Sequence, residues 1–557
     1  MNTMADWHIA AQGCFQSNIV IATIYATLGE EALAYGFNQT ETPVVITEGQ
    51  LLPAIAKVAK DCPSLKSIIY SGEKPAGIEL PEGITLYAFE DIVKMGGENN
   101  DQELTPPAKD DIAVIMYTSG STGLPKGVML THYNVVTTMI GFKHGLPSVV
   151  PGEDCFIGFL PLAHIFALCA EMFLLSQGCM IGYGSALTLT DTSPKIKFGT
   201  KGDISELRPT YMAAVPTIMD RIRQAVTGKV AAGSTIVQKL FNRAFKSKNE
   251  AYSHGKHTPI WDAIVFNKIK IVLGGNIKAI FSGGAPLAAD SQRFMNVVFG
   301  VPVCQGYGLT ETCSAGTVAS TSDLNSYGKV GGPFSSINLK MVDWEEGNYR
   351  VADLKNKNIG MPRGEIVLGG GSISQGYYRM PDRTAEEFKP DENGKIWFHT
   401  GDIGQMHPDG TLQIIDRKKD LVKLQQGEYV SLGKVESMLK AANYIDNMCV
   451  YADPFHSYCI AIVTVLSPAV SEWAQKNGCA GSSFEETCKD LKVVAEVLRS
   501  LQDEAKKNKL ARFETPAKVY VEPETWLPEG GLVTASLKLQ RNKINQHYKP
   551  EIEKMLE

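Results

Sequence analysis

The sequence predicts an α/β protein: a large N-terminal domain of layered sheets with a β-rich subdomain, then a small mobile C-terminal α+β domain. Three changes of texture carry that expectation. Segments rich in β-branched residues alternate with helix-like patterns from about residue 19 to residue 304, as parallel α/β layering requires. Between 331 and 415 the runs shorten and are broken by Gly, Pro, Asn and Asp turns, the pattern of antiparallel strands. Past Asp416 short strands give way to longer helices. The domains are therefore drawn as 1–415 and 421–557, joined by a hinge at 416–420.

Taken in order, strands are expected at 19–25, 43–47 and 66–70, with a helix over 49–59. The run 112–117 reads as a strand feeding a loop, 128–130 as a second strand beyond it, and Thr131 as the N-cap of the next helix. A strand at 276–281 runs into Ser282-Gly283-Gly284, followed by a helix near 287–299 and a strand at 301–304. Ligands collect at the carboxyl ends of parallel strands, and both Gly283-Gly284 and Gly306-Tyr307-Gly308 fall at such ends. In the C-terminal part a helix is expected over 434–442, with strands at 448–451 and 460–465. The stretch 228–253, polar and basic in places, reads as a solvated helical excursion rather than a binding patch.

Composition narrows the function. At 557 residues the chain is too long for one ordinary core. A net charge of −6 excludes an extended nucleic-acid surface. The eleven cysteines form no CxxC pair, which reads as reduced thiols in a cytoplasmic setting, without a zinc or disulfide framework. No run of roughly eighteen apolar residues predicts a transmembrane helix, and the first residues do not have the pattern of a signal peptide. The membrane mode left open is peripheral contact on the cytosolic face of the endoplasmic reticulum or another organelle. The oligomeric state is not legible.

The chemistry concentrates in Tyr117-Thr118-Ser119-Gly120-Ser121-Thr122-Gly123-Leu124-Pro125-Lys126-Gly127. Glycines let successive N–H groups converge on an anion, hydroxyls add uncharged donors, and a lysine closes the loop, so a polyphosphate is the natural guest. The spacing differs from the P-loop, in which Lys is followed by Ser or Thr and a helix begins at once. Here the loop joins two strands.

Together with Gln305-Gly306-Tyr307-Gly308-Leu309-Thr310-Glu311-Thr312, Thr400-Gly401-Asp402 and Asp416-Arg417-Lys418-Lys419-Asp420, in that order, the loop resembles the adenylate-forming superfamily. That superfamily contains acyl- and aryl-CoA synthetases, luciferases and peptide-synthetase adenylation domains. The segments 416–436, 201–220 and 531–541 resemble the eukaryotic long-chain acyl-CoA synthetases, nearest the animal isoform three and four subgroup. The likeness begins at about Ala5. Members carry a further segment ahead of it, often with a membrane anchor, so an N-terminally shortened chain is expected.

The resemblance implies activation of a long-chain fatty acid by ATP, with Mg²⁺, to an acyl-adenylate and then transfer to coenzyme A. It assigns Thr118, Ser119, Gly120, Ser121, Thr122, Gly123 and Lys126 to the phosphates. Gly283, Gly284, Gly306, Tyr307, Gly308 and Thr310 go to the nucleotide, and Asp402 and Arg417 to the ribose. Glu311 is the implied Mg²⁺ ligand. Thr118, His164, Glu311 and Lys538 are the implied catalytic residues, although Lys543 and Lys549 lie close to Lys538. Lys419 matches the pivot of the hinge, and the segment at Gly427-Glu428 is implied to face the pantetheine channel after rotation. The apolar stretch 157–175 is the candidate wall for the acyl chain. It has no tryptophan after His164, unlike bacterial members, so chain-length preference does not transfer. Two other readings compete: a ligase for aryl or medium-chain acids, and a catalytically impaired, shortened chain with a regulatory role or none.

Overall fold

The central layer is a seven-stranded sheet whose order follows the alternation in the sequence. Five strands, Cys155–Gly158, Met180–Tyr183, Tyr211–Ala214, Ala279–Ser282 and Val303–Tyr307, are mutually parallel, and two short strands, Thr317–Val318 and Gly332–Pro333, extend it antiparallel. This computed structural model describes residues 1–557 apart from 26–28, 100–102, 119–124, 192, 194, 324 and 535.

A second layer begins with Ile21–Thr23 parallel to Ile112–Thr118, which turns back antiparallel as Lys126–Thr131. The Ser/Thr/Gly-rich loop therefore does join two strands. Thr131 caps the following helix, His132–Gly145: its hydroxyl accepts from the Asn134 N–H at 3.1 Å, and the Asn134 side chain accepts from the Thr131 N–H at 2.9 Å. A small parallel sheet of Val44–Glu48, Ser67–Ser71 and Thr85–Ala88 stands apart with its own core around Leu52 and Ile68.

The β-rich part is an antiparallel sheet built on the long strand Ile396–Met406, which pairs with Arg363–Gly370, Phe388–Pro390 and Leu412–Arg417. Asp402 and Arg417 are direct cross-strand partners. After Arg417 the chain enters a small unit: a hairpin of Leu421–Lys423 and Tyr429–Ser431, the helix Leu432–Leu439, and a sheet of Ile445–Tyr451, Ile460–Val465 and Val519–Glu522. Apolar clusters lie on either side of this crossing point. One packs Val430, Val435, Leu439 and Val463, and those of the large part pack Met116, Leu168, Ile280 and Val298.

Across the crossing Leu537 packs on the large part's apolar cluster around Ile280, alongside polar side-chain contacts. Arg221 donates to Asp446 at 3.2 Å, Gln224 to the Ile445 carbonyl at 2.8 Å, and Lys507 to Asp290 at 2.7 Å. Interfaces of this composition separate more readily than apolar ones.

The small unit is pinned by a buried ion pair. Glu436 accepts from Arg541 at 2.7 and 3.1 Å and from the Val450 N–H at 2.7 Å. Replacing Arg541 with Met leaves that carboxylate unpaired in a buried site and should cost about 3–5 kcal/mol. Urea unfolding followed by circular dichroism measures the loss, and the double replacement Glu436→Gln/Arg541→Met should recover part of it.

Candidate active site

The strands Ala279–Ser282 and Val303–Tyr307 end side by side, so Gly283-Gly284 and Gly306-Tyr307-Gly308 open on one cavity. Its wall also includes His164, Ser282, Thr310 and Lys538. Two glycines are required here, for different reasons. Gly284 has φ +85, a backbone conformation that a side chain would strain, and it lies beside Cε of Lys538. A Cβ on Gly308 would overlap the Ser314 carbonyl oxygen at 2.1 Å, so a side chain there would force the loop out of place.

Lys538 belongs to the C-terminal unit but projects into the cavity of the large part. Burial and the nearby Arg417 charge lower its ammonium to about 8, while Asp402 and Glu311 pull the other way. His164 caps the helix Ile165–Ser176 by accepting the Phe166 N–H at Nδ1, 3.3 Å away, which leaves Nε2 as the ring donor. Burial and the Lys538 charge push His164 down to about 3, so it is neutral at physiological pH.

Asp402 is buried and holds two partners: the Tyr307 hydroxyl donates to Oδ2 at 2.8 Å and Arg417 Nε donates to Oδ1 at 2.6 Å. Tyr307 is thus tied to the carboxylate by its hydroxyl while its ring faces the cavity. Arg417 is raised above its ordinary value chiefly by Asp402.

Glu311 follows Thr310 in a short 3₁₀ turn and accepts from the Tyr377 hydroxyl at 2.7 Å. The same hydroxyl contacts the Glu387 carboxylate. Lys126 lies 3.4 Å from Glu387 and 4.0 Å from the centre of the Tyr377 ring. One phenol therefore links Glu311 to the lysine that closes the Ser/Thr/Gly loop. Thr118 pairs with Lys126 at the end of that hairpin. Ser119, Gly120, Ser121, Thr122 and Gly123 lie outside the described residues. Sequence reasoning missed Tyr377 and Glu387, which no motif singled out.

The far end of the cavity is apolar. Ile165, Phe166, Ala170, Phe173 and Leu174 come from the stretch expected to form the wall, and Phe142, Leu146, Phe281 and Phe334 complete it. Phe142 and Leu146 follow the Lys126–Thr131 strand on or just past the helix His132–Gly145, a contribution that local sequence pattern could not signal.

A fit for Mg²⁺ can be read from the donor set. Among the described residues no three His, Cys, Asp or Glu side chains gather as an all-protein cage. Only one oxygen of Glu311 is engaged by Tyr377. A single carboxylate whose second oxygen has no hydrogen-bond partner among the described residues has the donor chemistry of a hard cation that keeps most of its other oxygen ligands from water or a nucleotide.

Comparison with known proteins agrees with this architecture. The A domain of a carboxylic acid reductase from Segniliparus rugosus, in complex with AMP and a carboxylic acid, superposes with a TM-score of 0.76 at 21% identity over all of this chain and 81% of that one. The anthranilate CoA ligase AuaEII, in complex with anthranoyl-AMP, gives a TM-score of 0.70 at 19% identity over 99% of this chain and 87% of that one. The fold is that of adenylate-forming enzymes.

Residues 1–378 match the AMP-binding enzyme family. Long chain acyl-CoA synthetase 8 of Arabidopsis thaliana is 47% identical over 100% of this chain and 77% of its own length. Long-chain-fatty-acid–CoA ligase 1 of Schizosaccharomyces pombe is 37% identical over 99% of this chain and 80% of its own. The chain belongs to the AMP-binding enzyme family, among its long-chain acyl-CoA synthetases. The named relatives are plant and yeast proteins, and they lend no support to the animal isoform three and four subgroup.

The lowered Lys538 ammonium gives a direct test. Modification by an amine-reactive reagent, read by peptide mass spectrometry, should rise with an apparent pKa near 8, against about 10.4 for an ordinary lysine. Asp402→Asn removes an attracting charge and should move the midpoint lower still.

Proposed function

We propose that this chain converts long-chain fatty acids to acyl-CoA thioesters with ATP, releasing AMP and pyrophosphate through an acyl-adenylate. The observation that carries this reading is that Lys538 lines one cavity together with apolar side chains of the helix Ile165–Ser176 and with Gly283, Gly284 and Tyr307. A fatty acid laid in that pocket would bring its carboxylate to the lysine, and a nucleotide against Tyr307 would bring its α-phosphate there.

In the first step a carboxylate oxygen attacks the α-phosphorus and pyrophosphate leaves. Lys538 would bridge the attacking oxygen and the α-phosphate, meeting charge as it develops. Neutral His164 would donate from Nε2 beside the carboxylate. Thr118, Lys126 and the loop residues Ser119, Gly120, Ser121, Thr122 and Gly123 would hold the β- and γ-phosphates, Lys126 exchanging Glu387 for phosphate oxygens. Asp402, fixed by Arg417, would accept from the ribose hydroxyls at about 1.5–3 kcal/mol per bond. Gly306, Gly308 and Thr310 would shape the floor around the adenine face of Tyr307. Magnesium, held by Glu311, would supply neutralisation of phosphate charge.

In the second step the coenzyme A sulfur attacks the acyl carbonyl and AMP leaves. Lys538 then has to withdraw so that the thiol can enter. We read 1–415 and 421–557 as domains turning about 416–420, with Lys419 as the pivot, a motion that the polar contacts between the units favour. Peripheral contact with the cytosolic face of a membrane would place the enzyme beside its acyl substrate. No helix among the described residues is long and apolar enough to cross one.

The reading as an impaired or regulatory chain is not favoured, since Lys538, His164 and Tyr307 line one cavity and the Asp402–Arg417 pair is bonded to the Tyr307 hydroxyl. An aryl or medium-chain acid would leave the aromatic end around Phe142 and Phe334 unfilled.

Lys538→Ala should lower fatty-acid-dependent pyrophosphate–ATP exchange by ~10²–10³ while supplied acyl-adenylate still reacts with coenzyme A. Equal losses in both half-reactions would refute the role of the lysine. Exchange with benzoate or octanoate exceeding that with palmitate would refute the long-chain substrate.

A further inference from the structure

We propose that the outer face of the helix Thr235–Ser253 and the helical stretch 259–273 docks on an anionic lipid bilayer. This departs from the expectation that 228–253 is only a solvated excursion. Between 228 and 275 there are eight lysines and arginines against two acidic residues, in a chain whose net charge is −6. One of those two, Asp262, is already taken by Lys248 at 2.5 Å and Lys270 at 3.6 Å. Lys229, Lys239, Arg243, Lys246, Lys256 and Lys268 have no ion-pair partner among the described residues.

Both segments also expose apolar side chains that the core does not bury. The inner sides of the two segments already pack, with the Phe241 and Phe266 rings 6.2 Å apart and Ala244 buried. Yet Ile236, Ile260, Ile264 and Ile271 are each more than half exposed. On the longer helix Ile236, Leu240 and Arg243 follow one another at helical spacing, as do Lys239, Arg243 and Lys246. Aliphatic side chains interleaved with long cations, whose stems lie along apolar surface while their heads reach phosphate, suit the bilayer interface. Protein-binding hot spots instead favour aromatic and Arg anchors seated in pockets.

A neighbouring feature points the same way. The helix Asp203–Leu207 abuts this unit, its Ile204 carbonyl oxygen lying 2.7 Å from where a Cβ on Gly274 would sit. The loop ahead of it carries a fully exposed Phe198 directly after Lys197, while Lys201 further on is paired with Glu206 at 3.4 Å. The inference rests on the proposed long-chain substrate, which dissolves in the bilayer on which the face would lie.

The test is co-sedimentation of the purified chain with vesicles of phosphatidylcholine alone or mixed with phosphatidylserine, without ATP or fatty acid. Binding should be several-fold stronger to the mixed vesicles and should weaken with added salt. Two variants, Lys239→Glu/Arg243→Glu/Lys246→Glu and Ile236→Ser/Ile264→Ser, should each lose that binding several-fold. Their melting temperatures and their pyrophosphate exchange with detergent-dispersed palmitate should match the parent chain. Parent binding that ignores phosphatidylserine, or variants that bind as the parent does, would overturn the docking surface. Self-association of the parent that the variants abolish would assign the face to a second copy instead. Neither result touches the reaction, which the exchange assay reads separately.

Discussion

Everything in the site is arranged around placing one lysine, carried by the small unit, inside a cavity built by the large one. A cation entering a confined cavity loses hydration, and that loss, with the repulsion of Arg417, lowers Lys538 to about 8. Asp402 and Glu311 offset it by attraction. The balance leaves an ammonium that is still mostly protonated near neutrality but poorly satisfied, and so primed for an incoming anion. A fully solvated lysine would gain less from a developing negative charge, because water would already have met its donors.

The same cation adds to the state of His164. Burial, and after it the Lys538 charge, push the imidazolium down to about 3, so the ring is neutral and keeps Nδ1 as an acceptor for the helix it caps. Helix start, tautomer and lysine charge are thus one linked set. On the other side of the cavity, Tyr377 gives a single proton to a site with two carboxylates, Glu311 and Glu387. Lys126 offsets the second carboxylate. In the proposed reaction a nucleotide that drew Lys126 away would leave Glu387 short of a counter-charge and would favour the phenol donating to it. Glu311 would then be freer to hold a cation. In the proposed reaction, phosphate and metal capture are coupled through that one hydroxyl.

Much of this was legible in the sequence, for local reasons. The strand Ile460–Val465 follows the expected 460–465 because a continuous β-branched run has no competing pattern. The Thr131 cap and the hairpin around the phosphate loop were readable from turn and capping chemistry. Nonlocal pairing set the rest. The strand expected at 301–304 runs on as Val303–Tyr307, since Gly306 and Tyr307 pair antiparallel with Thr317–Val318. Thr400-Gly401-Asp402 reads as a turn in isolation, but it lies within Ile396–Met406 because Arg417 sits across from Asp402. The helix expected over 49–59 divides into a 3₁₀ turn, Gly49–Leu51, and the helix Leu52–Ala59, with Pro53 in the first turn of the latter. Tyr377 and Glu387 were invisible because their partners lie 66 and 261 residues away along the chain.

The division of forces between the two units completes the argument. Each has its own apolar core, so neither depends on the other for most of its burial. Arg221–Asp446 and Lys507–Asp290 join them through groups that water can take over when they part. Lys538 differs, since it reaches into the cavity of the large part, where Asp402 and Glu311 attract its charge and Arg417 repels it. In the proposed reaction, a carboxylate and an α-phosphate would add a charge-assisted contact to that lysine and so favour this arrangement during the first step. Loss of pyrophosphate would remove part of the negative charge, and the attraction holding Lys538 in the cavity would weaken with it. On that reading the electrostatics that favour the first step would also let the small unit turn for the second.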